Sequence, residues 1–581
     1  VPVKYASLSE LGGISQPILG TSFDGRPIKL DGNPQHPDSM GASSSFTQAR
    51  MLEFYDPDRL RAPLGGDGLV ETSFDRLVNA CKFSEASTVA VVAQPTSSPS
   101  MMRLKDEFTA KGGQWFAYSP ISDDNTREGS RGAFGRPLRA HYKLDEAKII
   151  VSLDADILSI AGSGIVNSVK FAKGRDVDGK KMSRLYVVES QFSTTGAAAD
   201  HRIAVRSSDI EGFAVQLEEK IGKVEDGSVD PALPYREKVL AAMASDLVLH
   251  KGECVIVAGE KQSPKVHALV HSLNDKLGNH GKTITFTELP DPQRPSSIDA
   301  IKDFVEKLKA NEFETVIILG GNPVFDAPRE LGLGDEIGKV EKTVHISSFK
   351  NETGLACKWI SAVAHPLESW KDGYANNGSV LLGQPFINPL FGGKSDLETM
   401  AMLMGSEVTD GQEIVRKTNT MGEAAWKKAV HDGFVSSEMA PEVTAQLTGT
   451  PLPLEDWVCK PSDQWTQLWE KDGGLEIVFN PSSSVYDGRF ANNSWLQELP
   501  DFFTKVAWDN VASVSPRTAK KFNLHQYGMS AKSKATLMTV TLNGAEITIP
   551  VVIQPGQADG SIGIETGYGR SMAGRGGGDI E

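Results

Sequence analysis

Asp24-Gly25-Arg26-Pro27-Ile28-Lys29-Leu30-Asp31-Gly32-Asn33-Pro34, followed by His36-Pro37 and then by Gln48-Ala49 and Tyr55-Asp56-Pro57-Asp58-Arg59, is the stretch on which the reading of this chain turns. It spells a hairpin feeding a helix. Asp24-Gly25 is a strong short-range turn signal, because both residue types tolerate a positive φ. Ile28 and Leu30 alternate with Lys29 and Asp31, as a half-buried strand should. Asn33-Pro34 and His36-Pro37 break the strand. Ser43, Ser44 and Ser45 offer N-cap hydroxyls to a helix carrying Phe46, Ala49 and Leu52 on one stripe. Asp56-Pro57 stops that helix, since a residue before proline is pushed out of the helical region.

Outward from this stretch the chain is long and acidic. Its 581 residues allow roughly three to four domains at ~150 residues each. Lys+Arg 60 against Asp+Glu 75 gives a net charge of −15. With no basic run interleaved with aromatics, that balance argues against a nucleic-acid partner. The four cysteines, Cys81, Cys254, Cys357 and Cys459, are scattered. No Cys-x-x-Cys and no Cys-x-x-Cys-His occurs, so no haem attachment, zinc ribbon or cubane cluster is built locally. Cys254 and Cys357 sit in apolar stretches and read as small buried hydrophobes; the spacing leaves a disulfide open. No apolar run approaches the ~20 residues of a membrane span. The chain opens at Val1-Pro2 without a Met or a leader, and both ends read as processed or truncated.

Five regions are expected: 1–68, a small N-terminal domain with Gly65-Gly66-Asp67-Gly68 as its exit; 69–290 and 291–404, two α/β domains; 405–475, an irregular connector; and 476–581, a β domain with a linker tail. The α/β assignment rests on short apolar runs, Thr88–Val92, Ile149–Leu153, Leu185–Val188, Cys254–Val257, Thr315–Leu319 and Val344–Ile346. They are continuously apolar rather than alternating, which suits parallel strands buried on both faces. Amphipathic helices lie between them; the clearest takes Ser297 as cap and Ile298, Ile301, Val305 and Leu308 as its stripe. The fold class is therefore α/β with doubly wound parallel sheets, and the strand ends form the ligand crevice. Those ends carry Asp154-Ala155-Asp156, Glu189-Ser190, Gly259-Glu260 and Gly320-Gly321-Asn322-Pro323. Asp154 and Asp156 read as caps of the next helix rather than as paired catalytic carboxylates. His267 and His271, four apart, with His280, read as surface or packing residues, because no Glu follows the first in the His-Glu-x-x-His manner. In the connector Trp457, Trp465 and Trp469 supply packing mass among prolines. Near the end, Leu537–Leu542, Asn543-Gly544 and Ala545–Ile553 spell a hairpin with a type I′ turn, with Ile547, Ile549, Val551 and Ile553 on one face. Gly574-Arg575-Gly576-Gly577-Gly578 reads as a flexible linker.

The Asp24–Arg59 stretch resembles the opening of the molybdopterin oxidoreductases of the dimethyl sulfoxide reductase superfamily. There the strand follows a Cys-x-x-Cys-x-x-x-Cys run, and a fourth Cys precedes Gln-Ala; four thiolates hold an iron–sulfur cluster, soft iron taking soft ligands. Laid on this chain without gaps, the pattern puts Ser9, Gly12 and Gln16 at the first three positions, Ser44 at the fourth, and Phe46 where the family has a Lys beside the cluster. Gly320–Pro323 resembles the loop that contacts the pterin dinucleotide, and the last ~100 residues resemble the β-barrel domain that closes over the second pterin. Two further strings narrow the likeness: Asp487-Gly488-Arg489-Phe490-Ala491-Asn492-Asn493 with Trp495–Pro500 and Trp508-Asp509-Asn510, and Leu185–Ser190 with Gly196-Ala197 and Asp200-His201-Arg202. Both resemble the molybdopterin-oxidoreductase-like half of ActB, the large periplasmic component of bacterial alternative complex III.

That resemblance implies a non-catalytic, scaffold-like subunit, free of pterin and cluster, on the periplasmic side of the bacterial inner membrane. It implies the iron–sulfur half of ActB, a multihaem cytochrome c subunit and NrfD-like quinol-binding membrane subunits as partners. Iron–sulfur clusters and haems c then belong to the partners, and this chain has no catalytic, cofactor-binding or metal residue of its own. No molybdenum ligand stands out; Ser122 and Ser130 lie in the right region, but Asp123, Asp124 and Arg127 around them read as a polar turn. The alternative is an active molybdopterin oxidoreductase lacking only the first cluster, and a third reading is a crevice that binds some other small ligand.

Overall fold

A computed structural model describes residues 1–66, 68–160, 162–179, 181–224, 229–230, 232–233, 235–436, 438–448, 474–525 and 534–577. The chain begins as a three-stranded antiparallel meander, β1 (Val3–Leu11), β2 (Ile14–Phe23) and β3 (Arg26–Gly32), followed by helix α1 (Ser45–Phe54). Asp24 and Gly25 both adopt positive φ, 49° and 76°, as a tight two-residue hairpin requires. The alternation expected of β3 is interrupted. Thr21 pairs with Lys29 but Ser22 pairs with Pro27, so Ile28 is bulged out of register and 55% exposed, while Leu30 is buried. Ser44 is the N-cap of α1, accepting from the Thr47 amide at 3.1 Å. The buried stripe runs through Phe46, Ala49, Met51 and Phe54; Leu52, expected on it, faces outward.

Two sheets follow, both with parallel cores. One has four strands in the order His201–Ala204, Arg184–Glu189, Ile149–Leu153, Cys254–Ala258. The other has seven, in the order Val70–Glu71, Leu64–Gly65, Trp359–Ala362, Lys342–Ser347, Thr315–Leu319, Val89–Ala93, Gln114–Ala117; the first two join antiparallel and the rest are parallel. Val89, Val91 and Ala93 enter one core and Ala90 and Val92 the other, which is why the run is apolar without alternation. The pairing of Val89–Ala93 with Thr315–Leu319 joins the ranges 69–290 and 291–404 in one sheet, so the sheets do not follow contiguous stretches of chain. The helix Ser297–Lys309 is capped by Ser296, one residue earlier than expected. It buries Ala300, Ile301, Phe304, Val305 and Leu308, leaving Ile298 39% exposed.

Within 405–475, helices Gly411–Thr418 and Glu423–Asp432 are followed by an extended run in which the Val443 and Thr448 amides donate to the Phe286 and Ala133 carbonyls. Trp457, Trp465, Trp469 and Cys459 lie outside the described residues. The C-terminal region forms a five-stranded mixed sheet, Glu476–Pro481, Ser561–Thr566, Ala512–Val514, Ala545–Ile553, Leu537–Leu542. Asn543 and Gly544 turn its hairpin with φ of 50° and 83°. Ile549 and Val551 are buried there, whereas Ile547 near the turn is 46% exposed.

Candidate cofactor crevice

The strand ends of both parallel sheets, the tip of the β1–β2 hairpin, α1 and the C-terminal sheet enclose a cavity of about 940 Å³. Of the positions that the resemblance sets against the cluster, Gly12 and Phe46 line its N-terminal wall, and Ser9, Gln16 and Ser44 lie behind it in β1, β2 and the cap of α1. Ser9 stands opposite Gln16 across the β1–β2 ladder. Gln16 Oε1 accepts from Thr47 Oγ1 at 2.6 Å, and Thr47 Oγ1 in turn accepts from Ser44 Oγ at 3.1 Å. Gly12 sits at the hairpin tip with φ of 61°, where a Cβ would meet Tyr486 Oη at 3.2 Å. Phe46 stacks on Phe490 with ring centroids 4.8 Å apart and meets Tyr486 edge-on at 5.6 Å. The donor set at these positions is hydroxyl, amide and aromatic; it does not fit an iron–sulfur cluster, which takes thiolates. The three described cysteines lie elsewhere, reduced and buried, and burial pushes the Cys81 and Cys357 thiols up to about 12.

The motif residues Asp56–Arg59 hold this wall in place. Arg59 donates to the Phe54 carbonyl at 2.8 Å and forms a fully buried ion pair with Glu368 at 2.7 Å. Asp56 accepts from Asn492 Nδ2 at 2.6 Å, and Asn493 Nδ2 donates to the Ala49 carbonyl at 3.0 Å, so the long string after Asp487 is the segment onto which α1 docks.

At the far wall, Gly320 and Gly321 turn in succession with φ of 64° and 66°, a conformation open at low cost only to glycine. They present Asn322. Its Oδ1 accepts from the Thr353 amide at 3.0 Å and Oγ1 at 2.7 Å, and its Nδ2 donates to Glu352 Oε2 at 2.8 Å. Arg570 donates to the same carboxylate through Nε at 3.0 and 3.1 Å and through Nη2 at 2.9 Å. Burial pushes Glu352 up, but Arg570 outweighs it and holds the carboxyl at about 2. Neither Glu352 nor Arg570 was visible as a site in the sequence, for they are 218 residues apart; the run Gly567-Tyr568-Gly569 before Arg570 was the available signal of a close backbone approach.

The strand-end carboxylates are structural ties. Asp154 accepts from the Ser190 amide at 3.2 Å, Ser207 Oγ at 2.7 Å and Gln262 Nε2 at 2.9 Å. Asp156 accepts from the amide and hydroxyl of Thr195, in the first turn of helix Thr194–Ala197. They therefore bind neighbouring crossovers rather than capping the next helix in the chain. Ser122 and Asp123 line the cavity, while Ser130 is a buried strut that bonds both the amide and the carbonyl of Leu138. Asp123 pairs with Arg294 and Arg127 with Asp291, but the stretch is not the polar turn expected: Asp124–Phe134 is a helix, and these pairs tie its first turn to the segment around Asp291. His267, His271 and His280 pack rather than face solvent; His271 lies 4.8 Å from the Phe134 ring, and burial holds His267 at about 4 and His271 at about 3. Among the described residues no three His, Cys, Asp or Glu side chains come together in a metal-holding group. Isolated in the sequence but converging on the cavity are Arg50, Lys371 and Asp326. Burial, and then the Arg50 charge, bring the Lys371 ammonium down to about 7, and burial with the neighbouring Asp487 charge raises Asp326 well above the carboxylate range.

Acetylene hydratase from Pelobacter acetylenicus superposes on this chain with a TM-score of 0.69, covering 99% of this chain and 94% of its own, at 13% identity. This chain has the molybdopterin-oxidoreductase fold. Within that fold lie the two parallel-cored sheets that the apolar runs predicted, with the crevice at their strand ends, and the C-terminal region is the five-stranded mixed sheet described above. The menaquinone reductase molybdopterin-binding-like subunit of Nitratidesulfovibrio vulgaris (strain Hildenborough) is 22% identical over 604 aligned positions, covering 94% of this chain and 84% of its own. No family model matches the chain. Against the cofactor named by the fold, the crevice supplies a loop whose Asn322 is already bonded at both ends. The guanidinium of Arg570 and the amides of Ser571 and Met572 beside it are taken by Glu352, so the donors that an incoming diphosphate would need are already occupied. These residues do not fit that group.

Proposed function

We propose that this chain is a peripheral, non-catalytic subunit of a quinone-linked membrane oxidoreductase complex of the alternative complex III kind, carrying neither pterin nor cluster. Its α/β body covers and orients an iron–sulfur partner on the periplasmic side, next to multihaem cytochrome c and NrfD-like membrane subunits. The reading rests on one observation above others: of the four positions that the resemblance sets against cluster thiolates, Gln16 and Ser44 are joined through Thr47, none of the four is a cysteine, and Phe46, at the neighbouring Lys position, is stacked on Phe490. Electron transfer needs a redox centre, which protein side chains do not supply, so the electrons run through partners. The relative's name supports a quinone-linked complex; it says menaquinone reductase, and the direction of the quinone chemistry is left to the subunits that bind the quinone. No helix among the described residues is long and apolar enough to cross a membrane, which is compatible with a peripheral place.

The cavity of about 940 Å³ favours a second reading, an active molybdopterin enzyme that lacks only the cluster. Elemental analysis for molybdenum, tungsten and iron on the purified chain, with fluorescence of oxidised pterin on the same sample, separates the two. The proposal expects none of the four. Stoichiometric metal with pterin refutes it and moves the search for substrate to the crevice beside Asn322.

A further inference from the structure

The glycine-rich C-terminal run is docked, and what it docks is a carboxylate. Six donor groups converge on Glu352: Asn322 Nδ2 at 2.8 Å, Arg570 Nε and Nη2 at 2.9–3.1 Å, the amides of Ser571 and Met572 at 2.9 and 3.0 Å, and Ser571 Oγ at 3.4 Å. Arg570 is itself fully engaged. Its Nη1 donates to the Gly488 carbonyl at 2.6 Å, its Nη2 also to the Met572 carbonyl at 3.1 Å, and its guanidinium lies 5.1 Å from the Phe325 ring centroid. The approach is close enough to need glycine on both sides. A Cβ on Gly488 would meet the Gly567 carbonyl at 2.9 Å, and one on Gly567 would meet the Gly488 amide at 2.4 Å.

Beyond Arg570 the run continues along the same receptor segment. The Arg575 amide donates to Asp58 Oδ2 at 2.7 Å and the Gly576 amide to Asn492 Oδ1 at 2.7 Å. A Cβ at Gly577 would lie 2.3 Å from the Ala491 carbonyl. Residues 567–577 are thus a strap lying across one wall of the crevice, tied to the string after Asp487 and to the Asp56–Arg59 motif.

Donors arranged in this way, a bidentate guanidinium, a side-chain amide and two successive backbone amides, are what an anion such as a diphosphate would meet. Here the chain supplies its own anion. We propose that Glu352 is a built-in occupant of the anion pocket beside the Gly320–Pro323 loop, and that the 567–577 strap locks it there. Diphosphate-bearing ligands then reach Asn322 only when the strap lifts. The inference rests on reading this crevice as the closed counterpart of a cofactor site, but it concerns the strap and is tested separately.

The test uses the full chain, inorganic pyrophosphate as the probe, and amide hydrogen exchange read on peptides covering 567–577. In Glu352→Gln the neutral amide keeps the volume and removes the charge. Strap peptides are expected to exchange at least tenfold faster than in the wild type, and pyrophosphate is expected to slow them again and to bind measurably by calorimetry, while the wild type binds none at the same concentration. Equal pyrophosphate binding by both proteins, or unchanged strap exchange, overturns the proposal. Arg570→Gln leaves Glu352 in place and decides the matter by itself if the first variant does not fold. The strap should loosen by at least tenfold without any gain of pyrophosphate binding, and a strap as protected as in the wild type overturns the inference. Pterin found in the purified chain counts against the proposed function, whereas a metal-free, pterin-free chain with an unmoved strap counts against the strap alone.

Discussion

Replacing Phe46 by Ala probes the claim that aromatic packing fills the place beside the expected cluster. Phe46 is 2% exposed, stacked on Phe490 and edge-on to Tyr486, in a small core with Ala49 and Leu496. Truncating a buried Phe costs ~3–5 kcal/mol, of which each favourable aromatic pair accounts for ~0.5–1.5 kcal/mol. The side chain also borders the large cavity, so its surroundings can relax and admit water; the low end, ~3 kcal/mol, is the expectation. The loss is local to the first half of α1, which this core and the Asn493 bond to the Ala49 carbonyl hold; Met51 and Phe54 pack into a neighbouring core with Ile18 and Leu30. Amide exchange of residues 45–54 is therefore the assay, since local opening reports local stability. At 1.4 kcal/mol per tenfold, ~3 kcal/mol is roughly a hundredfold faster exchange across that half of α1. Peptides of the buried strand Ile149–Leu153 should not change. Acceleration of less than tenfold in α1, or equal acceleration in both places, refutes the view that Phe46 anchors this wall. Phe46→Leu, which keeps most of the volume, should fall between the wild type and the Ala variant.

Glu368→Gln leaves the buried Arg59 guanidinium without a counter-ion and should cost ~3–5 kcal/mol, seen as a melting temperature lower by several degrees; a change within the noise of the melt would mean that the pair is not desolvated in solution. Stability should also fall on the acid side, for burial holds His36, His267 and His345 at about 4 and His141 and His271 at about 3, against ~6.5 in the unfolded chain. Between these values the unfolded chain binds protons that the folded one refuses, so each group leaves stability intact above pH ~6.5 and removes up to ~1.4 kcal/mol per pH unit below it. His271→Leu removes one of the five and should flatten the dependence of melting temperature on pH between 4 and 6; an unchanged slope rules out that account.

Local chemistry was legible where local chemistry decides. Asp24-Gly25 and Asn543-Gly544 turn with positive φ because few other pairs do so cheaply, and the continuously apolar strands are buried on both faces. Ile28, Leu52 and Ile298 show where such reading stops. A single bulge shifts Ile28 off the buried face, and the helices offer two apolar stripes between which only the packing partner chooses. The pairing of Val89–Ala93 with Thr315–Leu319 is a contact between residues more than two hundred apart, and nothing in either strand names its neighbour.

The glycine tail carries the sharper lesson about the site. Gly574-Arg575-Gly576-Gly577 has the composition of a free linker, and in the fold it is held by Asp58 and Asn492. Glycine serves both ends: it makes a chain flexible when nothing is near, and it lets backbone approach backbone when something is. Composition does not distinguish them; the partner does. The same holds for the cofactor positions. A hydroxyl at Ser44 or an amide at Gln16 says only that a thiolate is missing. That the space is filled and the polar atoms are satisfied follows from Thr47, Phe490 and Tyr486, which come from elsewhere in the chain. Buried donors need an acceptor whether or not a ligand arrives. At the Gly320–Pro323 loop, the acceptor is Glu352.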